Sequence, residues 1–341
     1  MSEYKLNSPP TDCTSAVEFH PLNPELLLAT SWDKTVRLYN TDSNALVDSH
    51  QRHSGAILAG CFSSSGKQIF SGGLDKKLFL WELGTNAYEL GAHDMAVSSL
   101  AYSSEHELAV SGSWDKTVRL WDSHSATALV ETLSVPERVY SLALSGHTLV
   151  AALANRQFAL FDMRNRAAPF LQAQTEGQPP LTNAYSSDGT LQAQNIKRSM
   201  LKYPTRRVAL VPGGTTGLVY SSIEGRVAVE YFNEPAKNYA FKCHRRKVTP
   251  SDQADYPELD PLSESNIDLV FPVNALAFHP KHGTFVTGGS DGIVNLWDGN
   301  NKKRLKQYGP YTQGISALYF NSSGNKLAIA SSYTFDQGDK Q

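Results

Sequence analysis

Three sets of side chains along this chain have the composition of a hydrolytic centre. His53, Ser71 and Asp75 form one, His93, Ser111 and Asp115 a second, and His244, Thr287 and Asp291 a third. A serine or threonine hydroxyl activated by histidine, itself oriented by an aspartate, would support nucleophilic attack on an acyl group. The recurrence of the set argues against that chemistry, because an enzyme needs one centre and would not place it in successive segments. No G-x-S-x-G elbow accompanies the serines. With Trp81, Trp121 and Trp297 added, the sets read instead as hydrogen-bonded tetrads. Each ties the loop before a sheet to its turn and third strand, and satisfies buried polar groups that would otherwise cost about 1–3 kcal/mol apiece. The expectation is a protein that is not an enzyme and carries no cofactor or metal.

The elements that must position these groups are legible at residues 111–122, SGSWDKTVRLWD. The TVRLW run alternates with period two, and WDK reads as the hairpin turn before it. The phrase returns as ATSWDKTVRLYN at 29–40, SGGLDKKLFLWE at 71–82 and TGGSDGIVNLWD at 287–298. Its spacing of about 40 residues is that of a four-stranded propeller blade. Degenerate copies follow Asn155 (QFALFD) and surround Glu224 (SSIEGRVAVEY), and two inserts of roughly 25 residues stretch the period. The inserts fall at about 174–200 and 246–269; polar or acidic and proline-bearing, both are expected to be loop. A last copy begins at Ile315 and stops before any strand matching TVRLWD. The reading is an all-β, seven-bladed β-propeller in a single domain, 1–341. Residues 3–6 are expected to form a strand that pairs within the final blade. Glu230 takes the slot that Trp81, Trp121 and Trp297 hold elsewhere, so its buried carboxylate needs a partner.

The bulk properties exclude several classes. The chain has 341 residues, is 40% hydrophobic and 19% charged, and carries a formal charge of −2, which gives no general case for nucleic acid. Basic clusters at Arg206-Arg207, Arg245-Arg246-Lys247 and Lys302-Lys303-Arg304 read as solvated loop charge. Three scattered cysteines do not make a disulfide framework or a zinc site. No apolar run has membrane-spanning length, and the start lacks the apolar core of a secretion signal. A reducing compartment, cytoplasm or nucleus, is expected.

The residue before each turn carboxylate should project from one face of the ring. These residues are Trp32, Leu74, Trp114, Ala154, Ile223, Ser290 and Tyr333. Tryptophan at a turn, accompanied by Lys34, Lys76, Lys116 and Arg226, suggests a peptide-binding face with a preference for acidic or phosphorylated ligands.

At SWDKTVRLYN, LKYPTRRV, SSIEGRVAVEYF, YAFKCHR, PVNALAFHP and LAIASSY the sequence resembles the WD-repeat adaptor family of the spindle assembly checkpoint. A related family, the nuclear-pore mRNA-export WD-repeat factors, shares several of these phrases. The resemblance implies a seven-bladed adaptor that is monomeric within hetero-complexes. It would bind the GLEBS motif of the checkpoint kinase and of its pseudokinase-like relative, together with phosphothreonine-bearing MELT repeats of the kinetochore scaffold. By motif match, Arg226 and Lys242 would hold the phosphate and Arg206 would pair with a GLEBS glutamate. Trp32 and Trp114, with Tyr333 beside them, would pack on bound peptide. Location in the nucleus, and at kinetochores in mitosis, follows; membrane, ubiquitin and nucleic acid are not expected partners. The alternative is an mRNA-export factor that binds a nucleoporin GLEBS motif. The family has a further strand after ASSY that this sequence lacks, which leaves the last blade one strand short or the sequence truncated.

Overall fold

The computed structural model describes residues 3–166, 184–185, 191–192, 195–213, 216–249, 252 and 267–334. Short antiparallel strands build six sheets of four or more strands. Blade one contains Thr14–Phe19, Leu26–Ser31, Val36–Asn40 and Ala45–His50 in that order. Blade two spans 57–92, blade three 97–134, blade four 139–162 with Ile196–Arg198, blade five 205–242 and blade six 273–308. A two-stranded sheet, Ile315–Phe320 with Leu327–Ser331, follows.

The second and third strands are buried on both faces because the sheets pack face to face like spokes. Gln68–Gly73 and Thr148–Leu153 are buried throughout, whereas the outer strand Ala45–His50 is exposed along most of its length. The core lies between blades. Val110, Val118 and Leu133 of blade three, for example, pack on Leu149, Ala151 and Phe161 of blade four. Burying each Val, Leu or Phe side chain contributes about 1.5–3 kcal/mol.

The first strands of the six blades and of the two-stranded sheet pack in chain order, and the last, Ile315–Phe320, packs on the first, Thr14–Phe19. Their starts lie side by side. Ser98 Oγ donates to Val139 O at 2.6 Å and Ser316 Oγ to Thr14 O at 2.6 Å. The amides of Leu142 and Val208 donate to Ser99 Oγ and Ser141 Oγ. With these strands running one way, every turn between a second and a third strand emerges on the same face, called the rim below.

On the opposite face two histidines staple neighbouring blades. His20 Nδ1 accepts the amides of Leu22 and Asn23, and its ring fills the space above Gly66, where φ is +73°. A Cβ there would stand 1.9 Å from His20 Nε2. His279 repeats the arrangement against Gly324, its Nε2 lying 3.1 Å from Gly324 O.

Three expectations change. Residues 3–6 are not a strand and do not pair with the final sheet; they run along blade one. The cause is Asn44, in a left-handed turn at φ +52°. Its carboxamide accepts the Asn7 amide at 2.9 Å and donates to Lys5 O at 3.0 Å, satisfying backbone that a sheet would otherwise pair. Tyr4 adds a bond to Thr41 O, and Leu6 packs against the cluster of Phe19, Leu27 and Tyr39.

The first insert is not wholly loop. Ile196–Arg198 pairs with the edge Gln157–Ala159 and supplies the outer strand of blade four. Ala184–Tyr185 and Leu191–Gln192 extend blade three, the second running parallel to its outer strand. At the second insert, Arg245–Lys247 pairs with Asp268–Val270 as an antiparallel ribbon. The remainder of both inserts, at 174–183, 186–190, 193–194, 250–251 and 253–266, lies outside the described residues.

Candidate functional site

In blade three the Trp121 indole N–H donates to Ser111 Oγ at 2.7 Å, and that hydroxyl lies 2.7 Å from His93 Nε2. His93 Nδ1 lies 2.8 Å from Asp115. One proton assignment satisfies the chain. Ser111 donates to Nε2, and Nδ1–H donates to the carboxylate of Asp115. His93 is then neutral, in keeping with burial, which pushes its pKa below the usual value. Asp115 is held below the usual carboxylate range against the opposing effect of its burial, chiefly by His93 and Thr117. In blade six His244 meets Asp291 and Thr287, each at 2.9 Å, and Trp297 donates to Thr287 at 2.9 Å.

Blade two differs. His53 bonds Ser71 and Asp75, both at 2.9 Å, but Trp81 donates to Thr85 O at 3.2 Å and leaves Ser71. The residue opposite Ser71 is Phe79, where blades three and six place Arg119 and Asn295. Phe79 packs edge-on to His53 at 4.6 Å, and the Trp81 ring turns to His50 at 4.8 Å. Trp81 therefore does not complete a tetrad. In all three sets the serine or threonine hydroxyl is fully buried, so no substrate can approach it as it stands.

Blade five preserves the geometry with other chemistry. Tyr220 stands at the position of Ser111, four residues before Glu224 as Ser111 is before Asp115. Its hydroxyl donates to Glu230, at the tryptophan slot, and accepts the Met200 amide at 2.9 Å. Lys197, from the outer strand of blade four, pairs with the other Glu230 oxygen.

The turn carboxylate shapes the rim. Asp33, Asp75, Asp115 and Asp291 each accept the amide two residues on, at 2.9–3.3 Å. The residue between is forced left-handed: Lys34, Lys76 and Lys116 have φ of 70°, 70° and 67°, with glycine at 225 and 292. Three lysines are thus lifted into solvent beside Trp32, Leu74 and Trp114. Trp32 and Trp114 are half-buried and Leu74 is 47% exposed. The amide of each donates to the strand start of its own blade, at Cys13 O, Ala96 O and Ala56 O. In the last sheet the same bond, to Gly314 O, is made by Ser332, so the rim position expected for Tyr333 is held by Ser332, and the half-buried Tyr333 comes one residue later.

The basic residues converge between blades five and six. Arg226 and Lys242 are directly opposite in the antiparallel pair Arg226–Tyr231 with Tyr239–Lys242, so their side chains leave the same face. Glu224 lies 3.3 Å from Arg226 Nε, and Arg245 Nη2 donates to Glu224 O at 2.7 Å. The field shows at Asp268, whose pKa is lowered by its bond to Lys247 and by the charges of Arg245 and Lys242. Arg206 donates to Asn274 Oδ1 at 3.1 Å, and Asn274 Nδ2 donates to Ser290 Oγ at 3.0 Å, reaching the rim position of blade six. Sequence reasoning missed Asn274 and placed Arg245 only among loop charges, while Arg206 was already singled out as a GLEBS-pairing residue. The signal for Arg245 was the run of like charges, which lies against the Gly225 turn beside Arg226.

Repeated four-stranded blades and a rim of aromatic and basic residues define a WD-repeat β-propeller scaffold. The "WD domain, G-beta repeat" family matches residues 4–40, 44–82, 84–122 and 270–298. Over nearly its whole length the chain is similar to mitotic checkpoint protein BUB3.1 of Arabidopsis thaliana, 42% identical across 98% of this chain and 88% of the relative. Mitotic checkpoint protein bub3 of Dictyostelium discoideum is 36% identical across 99% and 91%. Protein Rae1 of Drosophila melanogaster is 31% identical across 99% and 90%. The chain belongs to this WD-repeat family of mitotic checkpoint proteins and their mRNA-export relatives.

Proposed function

We propose that this protein is a spindle-checkpoint adaptor whose rim holds two peptides, an acidic GLEBS segment and a phosphothreonine-bearing MELT repeat. The observation that carries the reading is the pairing of Arg226 with Lys242 across adjacent strands, with Arg245 beside them. A phosphate monoester brings about two negative charges and three acceptor oxygens, which such a group of cations can satisfy together. Arg206, steadied by Asn274, pairs with a GLEBS glutamate, and Trp32, Trp114 and Tyr333 supply apolar contact around it. The scaffold is one domain in which the two-stranded sheet serves as a seventh blade. It joins the checkpoint kinase, or its pseudokinase-like relative, to the kinetochore scaffold and works in the nucleus and at kinetochores. The higher identity to proteins named for the checkpoint, 42% against 31% for Rae1, favours this over the mRNA-export reading.

The test is titration of the full chain with phosphorylated and unphosphorylated MELT peptides. Tighter binding of the phosphorylated form, lost in Arg226→Ala, is expected. Equal affinity for both rejects phosphate reading, and recovery of nucleoporin instead of checkpoint kinase from mitotic cells favours the export role.

A further inference from the structure

The first strands all carry an irregularity near their start, and the residue just after it occupies one layer around the axis. In six of them that residue is small: Ala16, Ala59, Ser99, Ser141, Ala275 and Ala317. The seventh is Arg207. Small residues suit this layer because neighbouring strands approach closely, as the bonds to Ser99 and Ser141 show. A guanidinium there has no room between strands. It is enclosed by protein, yet the residue is only half-buried. Among the described residues no hydrogen bond or ion pair engages its side chain, and none of its nitrogens is among the sealed, unpartnered ones. The seven first strands pack in a closed circuit, and a side chain at once enclosed and wet fits the space inside that circuit.

Among the described residues, no carboxylate forms an ion pair with this guanidinium. Toward the rim the adjacent residue is Arg206, which depresses the pKa of Arg207 further after burial has lowered it. Away from the rim, the next position on the same strand face, two residues on, holds Glu18, Cys61 and Tyr319 in the first, second and last strands. Burial pushes the Glu18 carboxyl up to about 8, so it is mainly neutral near pH 7. An unpaired cation in a confined polar space is costly unless an anion joins it.

We propose that the axial channel is a binding site for a small phosphate-bearing anion, held by Arg207 and entered from the rim past Arg206. This site is separate from the Arg226–Lys242 pair and does not rest on the peptide-binding role.

Thermal unfolding of the full chain in a phosphate-free, low-salt buffer tests it, with sodium pyrophosphate as the probe and sodium chloride at matched ionic strength as the control. A saturable rise in Tm of about 3 °C with pyrophosphate is expected, well above the chloride effect. Arg207→Ser, which restores the small-residue layer, should abolish the rise while leaving the unliganded Tm equal or higher. Arg226→Ala should keep it. Arg207→Gln gives the same reading should the serine variant fold poorly. A rise that survives at residue 207 but disappears with Arg226→Ala would move the anion to the rim and overturn the proposal. A wild-type response no larger than that to chloride would also overturn it, as would an unliganded Tm that falls in both Arg207 variants with the pyrophosphate rise retained.

Discussion

The Tyr220 hydroxyl donates to the Glu230 carboxylate at the place where, in blade three, the Trp121 indole donates to the Ser111 hydroxyl. Donor and acceptor have changed strands, and the bond between the two positions has been kept. A buried carboxylate is tolerated there because Lys197 reaches it from the next blade.

Glu230→Ala should therefore destabilise the fold by about 3 kcal/mol, since it leaves Tyr220 and Lys197 without their shared acceptor. Tyr220→Phe should cost about 1–2 kcal/mol. Urea unfolding of the single and double variants would reveal coupling of about 1 kcal/mol or more; additive losses would show that the bond is not formed.

Acid should weaken the tetrads before it reaches the carboxylates. His93 has its pKa lowered by burial, as do His20 and His50, the last to about 4. Unfolded histidines take up protons near pH 6.5 while these three do not, so the unfolded state binds more protons as pH falls below that value. Stability is full above about pH 6.5 and declines toward the depressed folded values. Glu18, its carboxyl raised to about 8 by burial, acts in the opposite sense over the same range, so the histidine contribution is read as a difference: the urea midpoint of the wild type relative to that of His93→Gln should drop between pH 7.5 and 5. A difference that stays constant over that range contradicts the neutral assignment.

Gly66→Ala should destabilise by about 2 kcal/mol or more, because the new Cβ meets His20 in a left-handed backbone. Adding His20→Ala should recover part of the loss by vacating the contact. Thermal unfolding of the two variants compares them directly.

Trp114→Ala should weaken peptide binding about tenfold or more with little change in urea midpoint, since its half-buried ring lies at a turn outside the core clusters. Calorimetric titration with a GLEBS peptide reads the first and denaturation the second.

The repeated Asp-Lys turns and TVRLW alternation made the blades readable, because each requires a local backbone state that the residues announce. Less legible was anything decided by neighbouring blades. Trp81 has the same place in the phrase as Trp121, yet Phe79 beside it redirects the indole. The partners of Glu230 come from 10 residues upstream and from the outer strand of another blade. Residues 3–6 have a strand-like composition, but a single carboxamide at Asn44 takes their backbone groups. Arg226 and Arg206 were visible as charges; their positions relative to Lys242 and Asn274 required the register of two strands and the packing of two blades.

After Asp162 the chain leaves blade four with three strands formed, contributes two strand segments beside blade three, and returns at Ile196 to finish what it left. The outer edge of one spoke thus depends on a detour along the edge of its neighbour. A break of the backbone between 166 and 184 would leave two fragments joined at those blade edges and also across the inner circuit, where Val139–Ser145 packs on Thr205–Leu210 and Thr14–Phe19 on Ile315–Phe320. Nicked protein should behave as one particle under native conditions and separate only in denaturant.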